Sequence, residues 1–100
     1  MIDWKLVTGF DWDAGNSRKS VDKHAVSQAE AEQVFFNAPL LIAPDAMHSE
    51  RENRLHALGR TDDGRRLHIT FTLRAAESLI RAISARPMHA MERAHYDEEA

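Results

Sequence analysis

The sequence has no cysteine, three prolines and four glycines in 100 residues. Without cysteine there can be no disulfide scaffold, no thiolate zinc site and no cysteine nucleophile. This composition fits a reducing compartment. No apolar run approaches the roughly 20 residues needed to span a membrane. The opening Met1-Ile2-Asp3-Trp4-Lys5 lacks the basic and apolar regions of a signal peptide, so a soluble, cytoplasmic protein with no membrane partner is expected. A Gly-x-Ser-x-Gly turn and a glycine-rich phosphate loop are also missing, which removes two common hydrolase and nucleotide-binding designs. The length allows a single domain over residues 1–100 with one core. At 43% hydrophobic and 29% charged residues, the composition is globular rather than disordered or fibrous.

Lysine is scarce in an uneven way. Residues 1–50 hold four Lys/Arg against eight Asp/Glu, whereas residues 51–100 hold nine arginines, no lysine and eight acids. Arginine's planar fork matches two oxygens of a phosphate or carboxylate, while lysine serves general solubility equally well. Compositional bias toward arginine and a demand for anion binding both account for this pattern.

Trp4 to Phe10 reads as a first strand. Asp13 then caps a weakly amphipathic helix from Ala14 to His24. Ser27 and Glu30 form a capping box for a second helix, with Ala31, Val34, Phe35 and Ala38 on its apolar stripe and Pro39 at its end. Leu40 to Asp45 reads as a short apolar strand, followed by a polar stretch that holds His48 and Ser49. A hairpin follows, with strands near Glu52–Thr61 and Arg65–Arg74 around Asp62-Asp63-Gly64. A three-residue loop with Gly64 left-handed sets Leu55 opposite Phe71, Ala57 opposite Ile69 and Gly59 opposite Leu67. A register slip of one would set apolar against polar residues. Leu79–Ala85 reads as a further strand. Pro87 is placed at the first position of a final helix whose buried stripe is Met88, Met91 and Ala94 or His95.

The fold class is therefore α+β: an antiparallel sheet of about four to five strands, with two N-terminal helices and one C-terminal helix on one face. One side of the hairpin carries Leu55, Ala57, Gly59, Leu67, Ile69, Phe71 and Leu73. The other carries Arg54, His56, Arg60, Arg66, His68, Thr70, Thr72 and Arg74, with Leu58 as its only apolar residue. That polar side has no acid, and cross-strand like charges cost up to about 1 kcal/mol per pair. A bare face awaiting an anion fits, and so does a solvated face with counterions or nearby acids from loops. Lys19 and Lys23, four apart on the first helix, add cations on one helical face. Simple alternation puts Arg81 and Arg86 on opposite sides of their strand.

The six histidines do not read as a metal site. No two have the four-residue spacing of helical zinc ligands, and Glu92 with His95 is a lone carboxylate–imidazole pair. No cofactor is expected.

The order of short motifs resembles the BrnT family, ribonuclease toxins of type II toxin–antitoxin modules with a RelE- and ParE-like fold. The resemblance rests on Phe10-Asp11-Trp12-Asp13, Lys23-His24-x-Val26-Ser27, Pro44-Asp45-x-x-His48-Ser49, Arg54, Leu58-Gly59 and Asp63-Gly64-Arg65. It continues through Thr72-x-Arg74, Ile80-Arg81-x-Ile83-Ser84-Ala85-Arg86 and Glu92-Arg93-x-x-Tyr96. Three positions depart from the family pattern: Asn16 stands where it has lysine, Ser20 where it has asparagine, and Ala25 where it has glycine.

The resemblance implies an endoribonuclease that inhibits translation and growth. It also implies a BrnA-type antitoxin as partner, in a heterotetramer with two of each, and operator DNA reached only through that antitoxin. Metal-free RNA cleavage needs a proton acceptor for the 2′-hydroxyl, cations for the crowded phosphorane and a donor for the leaving oxygen. On this basis Arg74, Arg81 and Arg86 are the expected phosphate clamps. His24 and Tyr96 are the expected proton carriers, with Lys23 as electrostatic helper; a histidine at the end of a helix, bonded to backbone, is the competing reading of His24. Glu92 is expected to hold an arginine in place. Arg54, His56, Arg60, His68 and Lys19 are expected to bind RNA. The rival class is a non-catalytic module that binds an acidic partner through its Arg/His face.

Overall fold

Gly64 has φ of 84°, the left-handed conformation that costs glycine nothing. It closes a turn in which the Gly64 N–H donates to the Thr61 carbonyl at 2.9 Å. This turn joins strand β3, Leu55–Arg60, to strand β4, Arg66–Arg74, in the expected register: Leu55 faces Phe71, Ala57 faces Ile69 and Gly59 faces Leu67. The computed structural model describes residues 2–48 and 53–99, with the side chains of residues 19, 20 and 48 outside that description. Expectations placed on Lys19, Ser49 and Glu52 therefore fall outside the described residues.

The remaining strands are Gly9–Phe10 (β1), Leu41–Pro44 (β2) and Leu79–Pro87 (β5). Their order across the sheet is β1-β5-β4-β3-β2. The sheet is mixed rather than antiparallel, because β1 runs parallel to β5. The first strand is shorter than expected. The Asp3 carboxylate accepts from the Lys5 N–H at 3.1 Å, and this Asx-type turn keeps residues 4–6 out of the sheet with Trp4 and Leu6 exposed.

Helix α1 spans Ala14–His24 and helix α2 spans Gln28–Val34. At the start of α1, Asp13 accepts from the Asn16 N–H at 3.0 Å while Asn16 Oδ1 accepts from the Asp13 N–H at 2.7 Å. The Ser27–Glu30 capping box starts α2 as expected. Helix α2 ends at Val34 with Phe35 as its C-cap, before Pro39, and Phe36 is 78% exposed. It covers the apolar side of the hairpin, where Val34 fills the space that a side chain at Gly59 would need. Val26, Ala31, Val34, Ala57, Leu67, Ile69, Phe71, Ile80, Ala82 and Ala85 form one core.

Helix α3, Ala90–Glu99, departs most from expectation. Pro87 ends β5 instead of opening the helix, which begins three residues later, with the Glu92 carboxylate accepting the His89 N–H at 2.8 Å. The later start changes which residues face inward. Met91 is 86% exposed, whereas Tyr96 is 2% exposed and donates its hydroxyl to the Pro39 carbonyl. Glu92 and Tyr96, four apart, share a helical side. Glu92 reaches Arg86 and Asp97 reaches Arg66, so α3 lies against the Arg/His side of the hairpin rather than beside α2.

Candidate functional site on the polar side of the sheet

The sheet ladder decides which side chains meet, since residues directly opposite each other point to the same face. Between β4 and β5, Thr72 faces Arg81, Thr70 faces Ser84 and His68 faces Arg86. Phe71 faces Ala82, so Ile83 is an extra residue bulged out of the ladder. Simple alternation separates Arg81 from Arg86, but the bulge restores both to the side that carries Thr70, His68 and His56. Nothing in the hydropathy pattern of this strand marks the bulge.

At the centre of this side stands a polar cluster. Asp45 Oδ2 lies 3.2 Å from His56 Nε2, and His56 Nδ1 lies 3.2 Å from Thr70 Oγ1. With the carboxylate at Nε2, that nitrogen carries the proton and Nδ1 accepts from the Thr70 hydroxyl; this tautomer follows from the hydrogen-bond network. The His56 ring tilts over His68 with centroids 4.7 Å apart. His68 is 8% exposed, so it lies beneath the surface expected to bind RNA and is not itself on that surface. Burial and the nearby Arg86 guanidinium push its pKa down to about 4, leaving it neutral at pH 7. The 3.8 Å approach of His68 Nε2 to Glu92 is therefore not an ion pair. Among the described residues, His68 Nδ1 is buried without a hydrogen-bond partner.

The guanidiniums are not bare, contrary to one of the two readings of this face. Arg86 donates Nη1 and Nη2 to the two oxygens of Glu92 at 2.8 and 2.9 Å. This bidentate contact, offset in part by burial, holds the Glu92 pKa down to about 2. Glu92 thus fixes an arginine, as expected. Arg81 donates to Asp13 at 2.9 Å and stands 3.5 Å from Asp11. The backbone N–H of Asn16 and then Arg81 hold the Asp13 carboxyl below its usual range. Arg66 pairs with Asp97. Of the other expected cations, Arg54 is half-buried just before β3, Arg74 is exposed at the end of β4 and Arg60 is exposed at the end of β3.

The expected proton carriers lie elsewhere. Lys23 and His24 close α1, and Arg65 ties that end of the helix to the β3–β4 turn by donating to the His24 and Ala25 carbonyls. Arg81 is tied to the other end of α1 through Asp13, and 11 helical residues separate the two ends by roughly 15 Å. Burial raises the Tyr96 pKa, and its hydroxyl is committed to Pro39. A buried, bonded phenol cannot exchange protons readily with a substrate on the surface. Asn16, at a departure from the family pattern, is buried and donates to the Asp11 and Ala82 carbonyls, so it joins α1 to β5. Ala25 has φ of 53°, a conformation that favours glycine.

Sequence reasoning missed Asp45 as a partner of His56, because the pairing depends on the register of β2 against β3, which sets Ala43 opposite His56 and brings Asp45, two residues on, to the same side. Trp4, Phe10 and Phe36 border a cleft of about 220 Å³ beside β1. Among the described residues, no three His, Cys, Asp or Glu side chains gather in a way that could hold a metal ion. No helix among them is long and apolar enough to cross a membrane.

No curated protein matches the sequence. A family model described as "Ribonuclease toxin, BrnT, of type II toxin-antitoxin system" matches residues 12–92. That span includes α1, α2, β2 to β5 and the whole polar cluster from Asp45 to Glu92. The chain belongs to the BrnT family of ribonuclease toxins of type II toxin–antitoxin systems.

Proposed function

We propose that this toxin is a metal-independent endoribonuclease whose RNA lies along the polar side of the sheet. It acts in the cytoplasm and is neutralised by a BrnA-type antitoxin in a complex of two toxins and two antitoxins. That complex reaches operator DNA through the antitoxin alone, which suits a toxin with a formal charge of −3. The observation that carries the reading is the gathering of Arg81, Arg86 and His56 around the Thr70–Ser84 pair on one face of the sheet. Arg74, Arg54 and Arg60 extend that cationic surface along and beyond the hairpin. Arg81 is the principal phosphate clamp. Its carboxylate partners are part-exposed, with Asp13 more than half so, and such pairs contribute only about 0–1 kcal/mol, so a phosphate can displace them. Arg86 keeps its place through Glu92 and adds positive potential. Proton transfer is not given to His24, Lys23 or Tyr96.

Purified toxin in excess chelator, incubated with bulk RNA, is expected to cut it. Arg81→Ala and Arg74→Ala are expected to slow cutting by about 10²-fold or more, while His89→Ala leaves it unchanged. Loss of activity in chelator alone would make the enzyme metal-dependent. The ion pairs of Arg66, Arg81 and Arg86 favour a second reading, a binding module that presents prearranged guanidiniums to an acidic protein segment. RNA left intact at high toxin concentration would select that reading.

A further inference from the structure

We propose that His56 is the group that removes the proton from the attacking 2′-hydroxyl of RNA, with Asp45 as the residue that positions it; this rests on the ribonuclease function proposed for the chain. Three contacts fix the ring. Asp45, itself buried, takes Nε2, Thr70 takes Nδ1, and the His68 ring lies against it. Asp45 at Nε2 holds the tautomer in which Nδ1 keeps its lone pair, and it keeps the ring oriented as Nδ1 takes a proton. The partner of Nδ1 is a neutral hydroxyl at 3.2 Å. A substrate hydroxyl can take that place without reducing the number of hydrogen bonds. The ring is also reachable, with 32% of the side chain exposed.

The ladder places the reacting phosphate as well. Thr70 faces His56 on one side and Ser84 on the other, which makes a row across three strands. Arg81 lies opposite Thr72 and Arg86 opposite His68, the rows on either side of this one. Rows on one face of a sheet are about 7 Å apart, so a phosphate above Thr70 and Ser84 sits between the two guanidiniums with His56 at its flank. His56 Nδ1 takes the proton from O2′ as the O2′–P bond forms. The P–O5′ bond then breaks, its electron pair stays on O5′, and O5′ takes a proton from water. His56 returns its proton to water. The products are a 2′,3′-cyclic phosphate end and a 5′-hydroxyl end, with no net gain or loss of protons.

The test compares cutting of an oligoribonucleotide with binding of its 2′-O-methyl counterpart, which cannot be cut. His56→Ala is expected to cut at least ~100-fold more slowly, to bind the 2′-O-methyl strand within about threefold of wild type, and to regain rate as imidazole is added. Asp45→Asn is expected to lower kcat per folded molecule while KM stays unchanged, with the folded fraction taken from chemical denaturation, so that mere loosening of the fold is separated from a loss of positioning. His56→Asn, which retains a polar side chain, covers the case in which the alanine variant unfolds. Full cutting by folded His56→Ala or His56→Asn overturns the role of His56 and leaves the ribonuclease reading intact. Loss of binding in parallel with cutting makes His56 a contact residue instead. If wild type itself leaves RNA intact, the underlying reading fails, and the inference with it.

Discussion

The two faces of the sheet are buried to similar depth at their centres but by different means. Under α2, Ala57, Leu67, Ile69 and Phe71 are fully enclosed by apolar neighbours. On the opposite side Thr72, His68 and Asp45 are almost as enclosed, yet each is a polar group in need of a partner. Thr72 finds one in the Asn53 carbonyl and Asp45 in His56, while one nitrogen of His68 finds none among the described residues. An apolar face is specified by volume and is indifferent to pH. A polar face is specified by matched donors and acceptors, tolerates changes of volume better, and responds to protonation. Substitutions and pH changes should therefore separate the two faces.

The largest effect is expected on the apolar face. Phe71 is fully buried, with its ring 5.1 Å from that of Phe35 in an edge-to-face contact. Phe71→Ala should cost about 3–5 kcal/mol, combining lost transfer free energy with the cavity left behind. Chemical denaturation at pH 5 and pH 7.5 should give the same loss at both. A loss below about 1 kcal/mol would mean that the apolar face is loosely packed and that volume does not specify it.

The polar face should reveal itself by pH. His68 has a folded pKa of about 4 against an ordinary value of 6.5, so the unfolded chain binds its proton first as pH falls. Its stabilising effect relative to the unfolded state is complete above pH 6.5 and is lost as pH drops toward 4. At pH 5 the loss is about 2 kcal/mol by linkage. Glu92 acts lower: its folded pKa of about 2 means that its stabilisation holds above 4.5 and disappears as pH falls toward 2. His68→Leu should abolish the first stage, making stability at pH 5 nearly equal to that at pH 7.5. If wild type is equally stable at the two pH values, His68 is not held neutral by the fold.

Much of the apolar face was legible in the sequence. Alternation along Leu67, Ile69 and Phe71, together with a glycine at the turn, fixes the hairpin register, because a slip would expose every apolar side chain. The Ser27–Glu30 box is a local signal and was equally readable. The polar site was less so, for three reasons. The bulge at Ile83 leaves no mark in hydropathy, yet it decides whether Arg81 and Arg86 share a side. The face on which α3 lies depends on Glu92 finding Arg86 and Asp97 finding Arg66, a matter of tertiary pairing. Asp45 meets His56 only through the register in which β2 pairs with β3, with Ala43 opposite His56. The residue types of the site were visible; their partners were not.

The smallest expected effect belongs to neither face and so serves as a control for both. Ala25 joins α1 to α2 with φ of 53°, and its N–H donates to the Val21 carbonyl at 3.1 Å. A left-handed residue in this position commonly ends a helix, and glycine is favoured there because it has no Cβ to clash with the backbone. Ala25→Gly relieves a strain of roughly 1–2 kcal/mol but gives the unfolded chain more freedom, which takes back part of the gain. A net stabilisation of about 0.5–1 kcal/mol is expected. No side chain is gained or lost beyond one methyl group, and no titrating group is touched. The gain should therefore be the same at pH 5 and pH 7.5, and additive with His68→Leu. A gain that changes with pH would show that the α1–α2 turn is coupled to the polar cluster, with Arg65 as the physical link, since it bonds the Ala25 carbonyl from the turn that leads into β4.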